Sequence, residues 1–162
     1  MYLIDANVVI ESAKHHYAFD IVPGFWSCLI DKAENGTLCS IDRVKTEVEV
    51  GRDRAAQWVS EEFAVAFRST RDSQEIADSY AEIMQWVFDH QQFKASGKDD
   101  FARGADGWLI AFARVNNCKI VTHEVLNLTI QRKVPIPNVC AHFGIECCDT
   151  FEMLREMRVQ FR

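Results

Sequence analysis

Four carboxylates stand where the apolar pattern around them gives no ordinary reason for an acid: Asp5, Glu47, Asp106 and Glu124. Asp5 lies in Leu3-Ile4-Asp5-Ala6-Asn7-Val8-Val9-Ile10, at the end of an apolar run. A strand that stops at Asp5 and turns into a helix holds the carboxylate at the carboxyl edge of a sheet, where open α/β folds keep their ligands. Glu47 is offset by three residues from Val44 and by four from Gly51, on or beside a helical apolar stripe, so its carboxylate is expected to point inward. The plain alternative is an acid at the rim of the core, paired with a distant Arg or Lys. Asp106 precedes Leu109, Ile110 and Ala113 by three, four and seven residues and shares their face; an acid in a first helical turn is also favoured by the open amides there. Glu124 follows the strand residues Lys119-Ile120-Val121-Thr122, which places it at the same sheet edge as Asp5 if the two strands run parallel. Thr122 is expected to hydrogen-bond in this corner, and His123 to alternate away into a surface or subunit contact.

Four acids in one place repel and raise one another's pKa unless a cation compensates, which points to a divalent metal. Oxygen-only ligands select Mg²⁺ or Mn²⁺ over zinc. Such ions polarise a phosphodiester, activate water and stabilise the leaving oxygen, so hydrolysis of a nucleic-acid backbone follows without a nucleophilic side chain. Asn7 donates to a phosphate oxygen or orients Asp5, unless it serves only as a helix-start residue. Two competing readings stand beside this one. In the first, a phosphatase uses Asp5 as a covalent nucleophile; that chemistry usually carries a second Asp two residues on, where this chain has Asn7. In the second, the same scaffold binds RNA or protein without cutting.

The elements that must position these acids alternate between helix and strand. A helix is expected over 6–14, and His15-His16-Tyr17 as a connector. Pro23 opens a helix that carries Phe25, Trp26, Leu29, Ile30 and Ala33 and stops at Asn35-Gly36. Leu38-Cys39-Ser40-Ile41 reads as a strand, and Asp42 as the cap of a helix over 43–50. Helices over 54–63 and 73–92 form a two-helix arm, the second with Ile76, Tyr80, Ile83, Val87 and Phe88 at helical spacing. Residues 93–104, polar and broken by Gly97, read as a loop. A helix over 105–115 leads through Asn116-Asn117 into the strand ending at Thr122, as parallel α/β structure requires. Pro135-Ile136-Pro137 enters a helix over 138–143, Gly144 turns the chain, and a last helix from Thr150 buries Phe151, Leu154 and Met157.

A chain of 162 residues with 48% hydrophobic and 11% aromatic content suits a single domain over 1–162 that buries roughly two-thirds of its unfolded surface. No positive leader is seen and no apolar run approaches the ~18 residues of a membrane span, so a soluble, cytoplasmic protein is expected. Six cysteines without a Cys-x-x-Cys read as reduced, mostly buried thiols. A formal charge of −6 excludes coating of nucleic acid by bulk attraction but allows a nuclease whose acids surround metal. Substrate contacts must then be local. Arg43, Lys45, Arg52, Lys98, Arg103, Arg132 and Lys133 flank the acidic segments, with Lys98 and Arg103 favoured because their segment leads to Asp106.

The ordered set Leu3-Ile4-Asp5-Ala6-Asn7, Glu47, Ala105-Asp106-Gly107-Trp108-Leu109-Ile110-Ala111 and Val121-Thr122-His123-Glu124 resembles the PIN-domain ribonucleases. The later Ile136-Pro137-Asn138-Val139-Cys140 looks like a PIN-like bacterial subfamily. The resemblance implies a Rossmann-like three-layer α/β/α fold with a central parallel sheet, an acidic Mg²⁺ or Mn²⁺ site and endonucleolytic cleavage of RNA. Asp5, Glu47 and Asp106 match its three principal acidic positions. Glu124 fills a fourth, usually occupied by aspartate or a smaller polar residue, with a side chain one methylene longer. Many small bacterial PIN proteins are VapC-like toxins, often homodimeric and restrained by an antitoxin protein, which makes both partners expectations here.

Overall fold

Tyr2-Leu3-Ile4 forms strand β1 (Tyr2–Ile4), and Leu3 and Ile4 are fully buried because both faces of the sheet are covered. The computed structural model describes residues 1–161. Helix α1 (Ala6–Glu11) follows Asp5 directly. Then come α2 (Pro23–Glu34), β2 (Leu38–Ile41), α3 (Asp42–Glu49), α4 (Arg54–Glu61) and β3 (Phe67–Arg68). The second half holds α5 (Gln74–Asp89), α6 (Ala95–Arg103), α7 (Asp106–Asn116), β4 (Lys119–Val121), α8 (Ile136–Phe143), β5 (Cys147–Cys148) and α9 (Thr150–Glu156).

All strand pairs are parallel, in the order β3-β2-β1-β4-β5. The chain adds strands to one side of β1, then returns to the other, so the strand order reverses between β1 and β4. Ile4 pairs with Val121, which brings the next residues, Asp5 and Thr122, side by side at the carboxyl edge. The Asp5 amide donates to the Val121 carbonyl at 3.1 Å, and the buried Ser40 hydroxyl donates to the Ile4 carbonyl at 2.8 Å, tying β2 to the same strand end. Parallel connections of this order are expected to be right-handed, which assigns α1–α4 to one face and α5–α8 to the other, and the helix contacts follow this division. A single core runs through both faces. On the first, Trp26 of α2 meets Trp58 of α4 edge to face at 4.8 Å, and Trp58 stacks on Phe63 at 4.3 Å. On the second, α5 lays Ile76, Ile83 and Val87 against α7, which buries Leu109, Ile110 and Ala113.

Several expectations need correction. Residues 93–104 are not a loop: α6 occupies most of them, and its polar sequence is held helical by burial of Phe101 and Gly97. The first helix ends at Glu11 and passes into a wide π turn, Ser12–His16, closed by the Tyr17 amide on the Ser12 carbonyl at 2.7 Å. Two of the expected connector residues therefore belong to that turn. No two-helix arm exists, since α4 packs on α3 and α5 on α7. Asp42 is the first residue of α3 rather than its cap. Strand β3 had no clear sequence signal. In α9 the buried residues are Met153 and Leu154, while Phe151 is exposed and Met157 half-buried. The six cysteines are free, four of them buried, as expected.

Helix α6 braces the segment that returns from β4. The Lys94 amide donates to the Gln131 carbonyl at 2.7 Å, and a Cβ on Gly97 would lie 2.8 Å from the Arg132 carbonyl oxygen. Alanine gains about 1 kcal/mol in a helix interior. Pushing backbone aside costs about 1–3 kcal/mol, so the close approach decides the sign. Gly97→Ala is expected to lose about 1 kcal/mol or more in urea unfolding, whereas Gly24→Ala, which meets only the Phe161 ring at 3.4 Å, leaves stability unchanged or raised. A Gly97→Ala protein as stable as the parent would mean that the helix and the returning segment are not pressed together.

Candidate functional site

Parallel pairing of β1 and β4 fixes one corner of the site. Asp5 is 2% exposed, and its Oδ2 accepts a hydrogen bond from the Thr122 hydroxyl at 3.1 Å. It occupies the N-cap position of α1 without capping the helix, which leaves its carboxylate directed to other partners. The Glu124 amide donates to the same Thr122 oxygen at 3.2 Å, so one hydroxyl couples the two acidic segments. Burial, then the charge of Glu124, push the Asp5 carboxyl up to about 7; the Thr122 hydrogen bond opposes this and Glu47 adds to it.

Asp106 is the first residue of α7, where the helix N-terminus favours an anion. Its carboxyl is nevertheless raised well above the ordinary range, by burial first and then by Asp5, Glu124 and Glu47, with Lys133 opposing. The residue is half-buried and lines a groove beside the corner. Asp5 and Asp106 thus form the strained inner pair.

The other two acids differ from expectation. Glu47 is exposed on α3, at the rim rather than facing inward, and acts on the inner pair through its charge. Glu124 has a side chain only 11% exposed, but both its oxygens are taken: Lys133 Nζ lies 2.5 Å from Oε1 and the Ile136 amide donates to Oε2 at 2.7 Å. Burial lowers the Lys133 ammonium, yet the hydrogen bond and charge of Glu124, with Asp106 and Asp5, raise it overall. Among the described residues, no group of three or more His, Cys, Asp or Glu is drawn into a set that could hold a metal ion. The oxygen-only chemistry of Asp5 and Asp106 and their mutual repulsion suit a hard cation. Glu124, engaged by Lys133, does not fit as a direct ligand in this arrangement.

The favoured substrate residues are placed as follows. The Lys98 ammonium donates to the Phe88 carbonyl at 2.6 Å, and Arg103 pairs with Asp100 at 2.6 Å on the surface. Asn7 is half-buried in α1, and among the described residues its amide has no hydrogen-bond partner. His123 is half-buried, 2.9 Å from the Thr150 hydroxyl and edge-on to His16, so it is a packing residue rather than a surface one. Lys133 was only one of several flanking bases in the sequence, and nothing in its spacing marks its return to Glu124.

Two grooves flank the inner pair. One, of about 460 Å³, is lined by Arg43, Glu47, Arg71 and Arg103; the other, of about 340 Å³, by Asp106, Arg132 and Lys133. Each groove brings arginine or lysine beside the acids, with Asp100 on the wall of both. Such an arrangement can hold a phosphodiester strand across enclosed carboxylates despite the acidic total.

The fold has relatives of known structure. FitAcB from Neisseria gonorrhoeae is 13% identical over 91% of this chain and 96% of its own, with a TM-score of 0.55. VapBC2 from Rickettsia felis, solved bound to a DNA fragment from their promoter, is 12% identical over 91% of this chain and 97% of its own, with a TM-score of 0.53. At these identities the likeness establishes the fold: a PIN-like α/β/α arrangement around a five-stranded parallel sheet. No curated protein matches the chain in sequence. The profile described as "Domain of unknown function (DUF4411)" matches residues 2–161, and with its PIN-like fold and acidic corner the chain belongs to that family.

Proposed function

We propose that the protein is a metal-dependent endoribonuclease that hydrolyses RNA phosphodiester bonds as the toxin of a bacterial toxin–antitoxin pair. The observation that carries this is the mutually repelling pair Asp5 and Asp106 at the point where the strand order reverses, beside two grooves whose walls carry arginines and lysines. Asp5 and Asp106 would hold Mg²⁺ or Mn²⁺, with Glu47 adding charge from the rim and Glu124, held by Lys133 and Ile136, acting on the site by its charge rather than as a ligand. When bound, the ion supplies Lewis-acid polarisation of the phosphodiester and a water acidic enough to attack near neutral pH. Thr122 orients Asp5 through its hydroxyl, and the N-terminus of α7 steadies Asp106 as an anion. Asn7, whose side-chain amide has no partner among the described residues, would donate to a substrate oxygen, whereas Thr122, buried and already donating to Asp5, would act through that carboxylate rather than on the substrate as expected. Lys98 and Arg103 lie farther out and, in this role, steer the strand by charge.

An antitoxin protein and a second copy of the chain are the partners that this role implies, supported by the PIN-like fold shared with FitAcB and VapBC2. Cytoplasmic action belongs to the same proposal; among the described residues no helix is long and apolar enough to cross a membrane. A second reading, a module that binds RNA without cutting it, is favoured by one observation, the engagement of Glu124 by Lys133 and Ile136.

Purified protein incubated with mixed RNA and Mn²⁺ is expected to cleave it and to stop on addition of chelator. Asp5→Asn and Asp106→Asn should each lower the rate by roughly 100-fold or more, while Glu124→Gln, acting through neighbours, costs about 10–100-fold. Cleavage that survives chelator and both aspartate substitutions would end the metal-nuclease reading; binding with no cleavage under any metal would favour the module.

The raised carboxyls also set a pH dependence. In the unfolded chain Asp5 releases its proton near 3.8, whereas in the folded chain it keeps it up to about 7. Between these values the folded state binds more protons, so stability present below about pH 4 falls as pH rises through 7. In chelator, the Tm is therefore expected to drop between pH 5 and pH 8, less so in Asp5→Asn, and Mn²⁺ should restore it at pH 8. Identical pH profiles for parent and Asp5→Asn would show that Asp5 carries no such strain.

A further inference from the structure

We infer that Arg43 is a rigid clamp for the phosphodiester backbone of an RNA strand, placed one side of the acidic corner and indifferent to the bases. This rests on the RNA-cleaving reading for its substrate but on separate residues for its evidence. Arg43 and Glu47 lie one turn apart on α3, on the wall of the 460 Å³ groove. Its guanidinium carbon sits 4.0 Å from the centre of the Trp108 ring, two residues beyond Asp106 on α7. Its Nε donates to the Thr70 hydroxyl at 2.9 Å. Thr70 is 2% exposed and donates in turn to Asp42 Oδ1 at 2.8 Å. The plane of the guanidinium is thereby fixed by a stack and a buried hydrogen-bond relay.

That fixing uses one of the donors. Among the described residues, neither Nη of Arg43 has a protein partner, and Arg43 forms no ion pair with a carboxylate. The other two arginines of the groove are engaged, Arg103 with Asp100 at 2.6 Å and Arg71 with Asp42 at 3.7 Å. A preorganised fork with free terminal nitrogens matches two oxygens of a phosphate. The bases have no comparable place. Tyr80 stacks on Trp108 at 3.9 Å and 9°, so with Arg43 on the ring as well both faces of the indole are covered. Only the backbone of the strand is read here, and sequence preference must arise elsewhere.

The test separates binding from cleavage. Binding of a fluorescein-labelled single-stranded oligouridine of about 12 nucleotides is titrated in EDTA, where no metal-dependent cleavage occurs, across a series of salt concentrations. Arg43→Gln is expected to weaken binding about 10-fold and to flatten the slope of log Kd against log salt by about 0.7. Arg43→Lys should lose nearly as much, because an ammonium keeps the charge but not the fork. Arg155→Gln, exposed on α9 and on the wall of neither groove, should stay within about twofold of the parent, and oligoadenosine should give the same ratios. Should Arg43→Gln lose its circular-dichroism signal, Thr70→Val, which frees Nε and leaves the charge, carries the test with an expected weakening of about threefold. Binding by the Arg43 or Thr70 variants within about twofold of the parent at an unchanged salt slope would overturn the clamp, as would a parent that does not bind. A parent that binds through Arg43 yet cleaves nothing with Mn²⁺ overturns the nuclease reading and leaves the clamp standing.

Discussion

Holding the buried Asp5 and the half-buried Asp106 within reach of each other's field is the constraint to which the surrounding structure answers. Each carboxyl would be far more comfortable in solvent, and burial and repulsion together raise both. Three local devices offset part of that cost: the Thr122 hydroxyl on Asp5, the open amides at the start of α7 beneath Asp106, and the Lys133 ammonium drawn in by Glu124. None removes it, since both carboxyls remain raised. A protein that only needed a stable core would place apolar residues here. In the proposed function, a hard cation would relieve this retained strain.

The devices depend on distant parts of the chain. Thr122 reaches Asp5 because Ile4 and Val121 are in register, which the buried Leu3 and Ile4 of β1 and Ile120 and Val121 of β4 enforce. Lys133 reaches Glu124 because the segment after β4 folds back, and it folds back against α6 through the Lys94–Gln131 hydrogen bond and the bare backbone of Gly97. Helices α3 and α7, on opposite sides of the sheet by connection, meet through Arg43 and Trp108. The charge map follows from this. An overall −6 coexists with arginines and lysines on the groove walls because α3 and α6 carry bases among their acids and the folded-back segment adds Arg132 and Lys133.

What the sequence made legible was whatever period and adjacency encode. The strand end at Asp5, the helical offsets of Asp106 from Leu109 and Ile110, and the helix-strand alternation leading to Thr122 all follow from patterns within about a dozen residues, and the parallel sheet follows from their order. Glu47 shows the limit of such offsets: standing beside an apolar stripe does not decide whether a long side chain turns in or out, and it turns out. Helix α6 was hidden because its stability comes from burying one phenylalanine and one glycine against other segments, with little apolar periodicity of its own. Lys133 and the Arg43–Thr70–Trp108 assembly were hidden for a related reason. Their partners are brought together by tertiary packing, across 9, 27 and 65 residues respectively for Glu124, Thr70 and Trp108, and no local spacing encodes that.

The two outermost strands, β3 and β5, are each two residues long. An edge that short exposes almost no run of unsatisfied amides and carbonyls for another strand to copy. The sheet is in effect closed at both margins, and a growing stack of such sheets has no template to start from. Any lasting association between copies must then be made by side chains of helices and loops, whose surfaces can differ between close relatives, rather than by the backbone, which cannot.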